Sequence, residues 1–119
     1  MSVTPSFQAF VVEQLGKGLQ DVRARRMFGG VGIYAGPVFF ALIDDDVLYL
    51  KVDDSNRPDF ESRGMGPFQP YGEGGETMQY YQLPEDVLED PEELHRWAGK
   101  AVDVAQRKKK GKSSRGRGA

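Results

Sequence analysis

The chain has 119 residues, 39% apolar and 29% charged, the proportions of an ordinary soluble domain with one modest core. It contains no cysteine, which excludes disulfides, thiolate metal sites and a Cys nucleophile, and no apolar run near the roughly 20 residues that cross a bilayer. The net charge of −2 conceals a division: residues 107–119 carry seven basic side chains and no acidic one, leaving nine basic against eighteen acidic in the first 106, a net of −9.

The opening MSVTPSFQAF lacks the basic start of a secretory signal, so a cytoplasmic protein is expected. Thr4-Pro5 reads as a helix start, with Thr as N-cap and Pro at the first helical position. Phe7, Phe10, Val11 and Leu15 follow at helical spacing on one face, and Gly16 ends the helix. Asp21 to Met27 alternates in part, Val22 and Ala24 on one side and Arg23 and Arg25 on the other, as in a strand or an extended arm. Arg25 to Tyr34 then reads as a strand that meets a tight glycine corner and continues as a second strand leading to Gly36-Pro37. Such a bend would let one ribbon cross the core. Gly29, Gly30 and Gly32 suit a positive φ or the close approach of another segment. The bend leaves Arg23, Arg25 and Arg26 near a sheet edge, where such charges block edge-to-edge pairing or bind a partner.

Val38 to Ile43 and Val47 to Val52 flank Asp44-Asp45-Asp46 and predict an antiparallel hairpin with a three-residue polar turn. Alternation gives Leu48, Leu50 and Val52 to one face and Val47, Tyr49 and Lys51 to the other, while Phe39 and Phe40 point opposite ways. Asp54 or Ser55 can cap a short helix running through Arg63, with Phe60 as its anchor and Gly64 as its end. Pro67 to Tyr71 reads as an edge strand, turned by Gly72 to Gly75 into Met78 to Gln82, with Tyr80 and Tyr81 on opposite faces. A single helical turn follows Pro84. Asp90-Pro91-Glu92-Glu93 starts the last helix, and Leu94, Trp97, Ala98, Ala101 and Ala105 form its buried stripe up to about Arg107.

These elements give an α+β domain over residues 1–106: helix, three strands, helix, two strands, helix, in two layers with a mostly antiparallel sheet. Residues 107–119 form a disordered basic tail, since nothing apolar lies beyond Gly111. Helices of so small a domain cover one sheet face, and the other exposes Val47, Tyr49 and one Phe. That is an interface for a protein partner, a second copy included.

No catalytic, cofactor or metal site is expected. His95, the only histidine, sits one position off the buried stripe and has no placed acid-base partner. Asp44-Asp45-Asp46 presents three successive carboxylates that diverge, without the spacing of a calcium loop. Gly29-Gly30-Val31-Gly32 lacks the Lys-Ser/Thr of a phosphate loop. The tail cations Arg107, Lys108, Lys109, Lys110, Lys112, Arg115 and Arg117 form the nucleic-acid candidate, weak and non-specific. With all seven engaged on duplex DNA, log K would fall with log salt at a slope of about 6. The tail reads equally as a solubilising end, or as one that folds back on the acidic body.

The segments RRMFGGVGIY, LYLKVDDSNRPDF, MQYYQLPEDVLEDPEEL and RWA, in this order, resemble the amino-terminal domain of the TfoX/Sxy family, over Phe7 to Ala105. The resemblance implies a fold like that of secretion chaperones and a non-enzymatic, regulatory or adaptor role. That family is known for positive regulators of competence that act with a cyclic-AMP-responsive activator at promoters. Those regulators carry a second, helical-hairpin domain where this chain carries its basic tail. What the resemblance transfers is therefore the domain and a regulatory tendency, with the transcription machinery as a partner class, rather than competence itself. It also marks Arg26, Met27, Phe28, Gly29 and Gly30 as the family's signature corner, with no task assigned to any of them.

Overall fold

A computed structural model describes residues 3–27, 30–68 and 79–115. The expectations for Phe28, Gly29, Pro70, Tyr71, Gly72 to Gly75, Met78 and Arg117 fall outside the described residues. The first helix, α1, spans Pro5–Gly16, and Thr4 caps it by accepting from the Phe7 N–H through Oγ1 (3.3 Å). Val11 and Leu15 are buried as expected, but Phe10 is 39% exposed. One residue is about 100° of helix rotation, which carries Phe10 off the face centred on Val11. Gln14 takes that buried place instead and donates through Nε2 to the Leu88 carbonyl (2.9 Å).

The two strands expected on either side of the glycine corner are present, but they lie side by side. β1 (Val22–Met27) and β2 (Gly30–Ala35) pair antiparallel with Met27 opposite Gly30, so the chain reverses between those residues instead of running on across the core. β3 (Val38–Asp44) and β4 (Val47–Lys51) form the expected hairpin. Asp44 pairs with Val47, so the loop has two residues, not three. Asp45 (φ 53°) and Asp46 (φ 59°) adopt the positive φ that a two-residue loop matching the strand twist requires, a conformation Asp tolerates. Between β2 and β3 the register slips at Ile33/Tyr34, where Tyr34 faces Phe39 and Ile33 faces Ala41. The extra residue of this bulge is Phe40, so Phe40 and Ala41 both reach the core.

The second helix, α2 (Arg57–Glu61), starts one or two residues later than a cap at Ser55 or Asp54 would give, and ends at Glu61 instead of Arg63. Its N-cap position is Asn56, not Asp54 or Ser55. The buried Asn56 side chain instead accepts from the Asp53 N–H (2.9 Å) and donates to the Lys51 carbonyl (3.1 Å), pinning the turn after β4. Gly64 ends the segment at φ 75°, and the Met65 N–H donates back to the Phe60 carbonyl. β5 (Tyr80–Gln82) pairs with β4 and completes an antiparallel sheet in the order β1-β2-β3-β4-β5. The Pro67 segment lies along the far side of β5, through the Pro67–Tyr81 bridge and the Phe68 N–H to the Tyr80 carbonyl (2.7 Å). A single turn, α3 (Glu85–Leu88), precedes α4 (Pro91–Arg115), which Asp90 caps through Oδ1 and which extends past the end expected near Arg107.

Val31, Ile33, Ala41, Ile43, Leu48, Leu50 and Val52 alternate onto one sheet face and join Val11, Leu15, Phe60, Val87, Leu94, Ala98 and Ala101 in one core. The four described helices therefore lie on that face, and the fold is the two-layer α+β arrangement. No described helix is long and apolar enough to cross a membrane.

Candidate interaction surfaces

The helix-free face takes its character from strand alternation. Tyr34 and Phe39, directly opposite across β2 and β3, stack with ring centroids 5.1 Å apart. Phe39 continues the row to Tyr80 at 5.6 Å, and the Lys51 ammonium sits 4.8 Å from the Tyr80 ring centroid. A second pair, Tyr49 and Phe68, lies at 4.9 Å on the same face. The expected interface residues Val47 and Tyr49 are both here, half-buried by their neighbours, and the expected Phe is Phe39. Tyr80 itself is buried by the row, and its phenol pKa is pushed up to about 12 by that burial and by Tyr34. Burial, with Asp44 and Asp45 nearby, raises the Tyr49 phenol as well. Tyr81 points the other way, onto Phe60 (5.9 Å).

The signature corner is a matter of space. A Cβ on Gly30 would lie 2.7 Å from the Ile43 carbonyl oxygen, and one on Gly32 would lie 2.7 Å from Met27 Cε and 3.0 Å from Phe39 Cε1. Neither glycine has positive φ, so of the two expected reasons for glycine, close approach holds at both. Arg26 lies at the outer rim of the sheet on β1, the outermost strand, as do Arg23 and Arg25.

His95 is exposed, with its ring over Gly18, where an added Cβ would meet Nδ1 at 2.3 Å. Asp46 is engaged structurally: its carboxylate accepts from the Thr4 N–H (2.8 Å) and Thr4 Oγ1 (3.0 Å), tying the β3–β4 turn to the start of α1. No sequence pattern announces that link, since 42 residues separate the two. Among the described residues no cluster of three or more His, Asp or Glu side chains could hold a metal ion.

Of the tail cations, Arg107 turns toward the body and donates to Asp53 (3.3 Å) and Ser55 Oγ (2.9 Å). Asp53 is held below the usual carboxylate range. Its partial burial, which alone would raise it, is outweighed by hydrogen bonds from Ser55 and Arg107. Lys108, Lys109, Lys110, Lys112 and Arg115 lie on the last turns of α4. The helix is braced lower down by Lys100 on Asp59 (2.8 Å) and by the Trp97 ring edge-on to Phe60 (4.8 Å).

No curated protein matches the chain. The family model of the TfoX N-terminal domain matches residues 13–105 of the 119, a span that runs from within α1 through the strands to the buried stripe of α4. The chain belongs to the TfoX N-terminal domain family.

Proposed function

We propose that this domain is a regulatory or adaptor module that works by protein contact through the helix-free face of its sheet, and that the contact it makes there is with a second copy of itself. Membership of the TfoX N-terminal domain family supports a regulatory or adaptor type of domain in general. The observation that carries the finer reading is the aromatic row from Tyr34 through Phe39 to Tyr80, with Tyr49 and Phe68 beside it, on a face that no described helix covers. Rings of this kind supply large contact area at little conformational cost, which is why aromatic residues anchor interfaces. In such a module, pairing of two sheets presents the helices of both copies outward to a transcriptional partner. Sedimentation velocity at micromolar concentration tests the contact. The wild-type chain is expected to run as a dimer and the Tyr49→Lys variant as a folded monomer. A wild-type chain that is monomeric throughout and unaffected by Tyr49→Lys removes the reading.

A second reading, non-specific attachment to nucleic acid through the basic end, draws on Lys108, Lys109, Lys110, Lys112 and Arg115 following one another at the end of α4 with no acidic residue among them.

A further inference from the structure

The two edges of the sheet are treated differently. The edge beyond β5 is occupied by the Pro67 segment, whose proline offers no N–H. The edge at β1 has no neighbouring strand among the described residues. The Gly36 N–H donates to the Asp21 carbonyl (2.9 Å), which makes Asp21 and Gly36 a hydrogen-bonded pair. By the alternation of an antiparallel ladder, Arg23, Arg25 and Met27 also bond to β2, and the N–H and C=O groups of Val22, Ala24 and Arg26 point outward. They form no backbone hydrogen bond among the described residues.

The side chains flanking this open row are of two kinds. On the helix side, a groove between α1 and β1 is lined by Ala9, Val12, Val22 and Ala24, with Arg26 at its rim. On the opposite side a shallow depression runs past Arg23, Arg25, Tyr34 and Pro37. Arg23 is placed by its pair with Asp21 (3.5 Å) and its bond to the Gly36 carbonyl (3.2 Å). Arg25 and Arg26 are exposed and make no ion pair among the described residues. Three guanidinium groups thus stand along one strand of a body whose net charge is −9.

From this we infer that the β1 edge is a docking site for an extended acidic segment of another protein, which adds to the sheet as a further strand. Its backbone pairs with Val22, Ala24 and Arg26. Alternate carboxylates meet Arg23 and Arg25, and the intervening small apolar side chains enter the groove beside Val12 and Ala24. Charge selects this occupant over a second copy. Antiparallel pairing of two β1 strands about Ala24 would set Arg23 of each directly against Arg25 of the other, a like-charge pairing that destabilises a ladder. A nucleic acid would satisfy the guanidinium groups but leave the backbone row unpaired, and its phosphates would run along an acidic body. The site meets the aromatic face at Tyr34, but the backbone row it uses lies on the β1 edge, outside that face.

The test uses the full chain and a capped peptide alternating Glu and Val, with a Lys-Val peptide and a short DNA duplex as comparisons. Hydrogen exchange at the amides of Val22, Ala24 and Arg26 is expected to slow about tenfold with the Glu-Val peptide, while the already bonded amides of Arg23 and Arg25 are unaffected. Arg25→Glu should weaken the peptide about tenfold, and Ala24→Pro should do the same by removing an outward N–H without breaking a bond to β2. Should Ala24→Pro fail to fold, Arg25→Glu, an exposed change, decides the matter. The inference is overturned by unaltered exchange at the three amides, by equal binding of the Lys-Val peptide, by binding indifferent to Arg25→Glu, or by DNA protecting these amides where the peptide does not.

Discussion

Gly30 shows how a single position shapes this domain. It begins β2 beside Ile43, whose carbonyl oxygen would be 2.7 Å from any Cβ placed there. Backbone cannot swing aside as a side chain end can, so Gly30→Ala is expected to destabilise by about 1–3 kcal/mol, seen as a lower urea midpoint at unchanged slope. Gly99 provides the contrast. It lies inside α4 with nothing within 4 Å of a built Cβ, so Gly99→Ala should stabilise by about 0.5–1 kcal/mol. An Ala at position 30 that costs nothing would show that the corner has room and that its glycine serves another purpose.

At the scale of elements, the aromatic row joins β2, β3 and β5 across the helix-free face, and its protonation state reports on its packing. The Tyr80 pKa in the folded chain is pushed up to about 12, against an unfolded value of about 10. The neutral phenol is the form the fold favours, so this contribution is complete below about pH 10 and is lost as pH rises toward about 12. Tyr49 is shifted in the same direction and adds to the effect. Denaturant titrations from pH 9 to 12 should show stability falling through that window, and Tyr80→Phe should flatten part of the fall. An equal pH dependence in the variant would mean that Tyr80 ionises as freely in the fold as out of it. Strand alternation explains why β4 matched its expected pattern closely, with Leu48, Leu50 and the following Val52 inside and Val47 and Tyr49 on the opposite face.

For the molecule as a whole, charge is divided between an acidic body and a basic end, and Arg107 links the two through Asp53 and Ser55. With Arg107 held by the body, the expected salt slope on duplex DNA falls from about 6 for seven cations to about 5 for the other six. Deleting residues 108–119 should abolish DNA retention at low salt. It should change unfolding stability by no more than about 0.5 kcal/mol, because Ala105 is the last buried residue of α4 among the described side chains. Retention that survives the deletion would move nucleic-acid contact to the body, against its net charge.

Periodicity and local chemistry were sufficient for the caps at Thr4 and Asp90, the alternation in β3 and β4, the α4 stripe, and the family resemblance that the match over residues 13–105 supports. These properties depend on residues a few positions apart, and a chain carries them wherever it goes. The reversal between Met27 and Gly30, the bulge at Phe40, the Asp46–Thr4 link, the Gln14–Leu88 bond and the exposure of Phe10 were not legible in that way. Each depends on which distant segment comes to lie alongside. The Arg residues of β1 were expected near a sheet edge, but only the register with β2 decides which backbone groups of that strand point outward. Pairing and packing between remote segments is the step at which local preference stops determining the outcome and the folded chain decides.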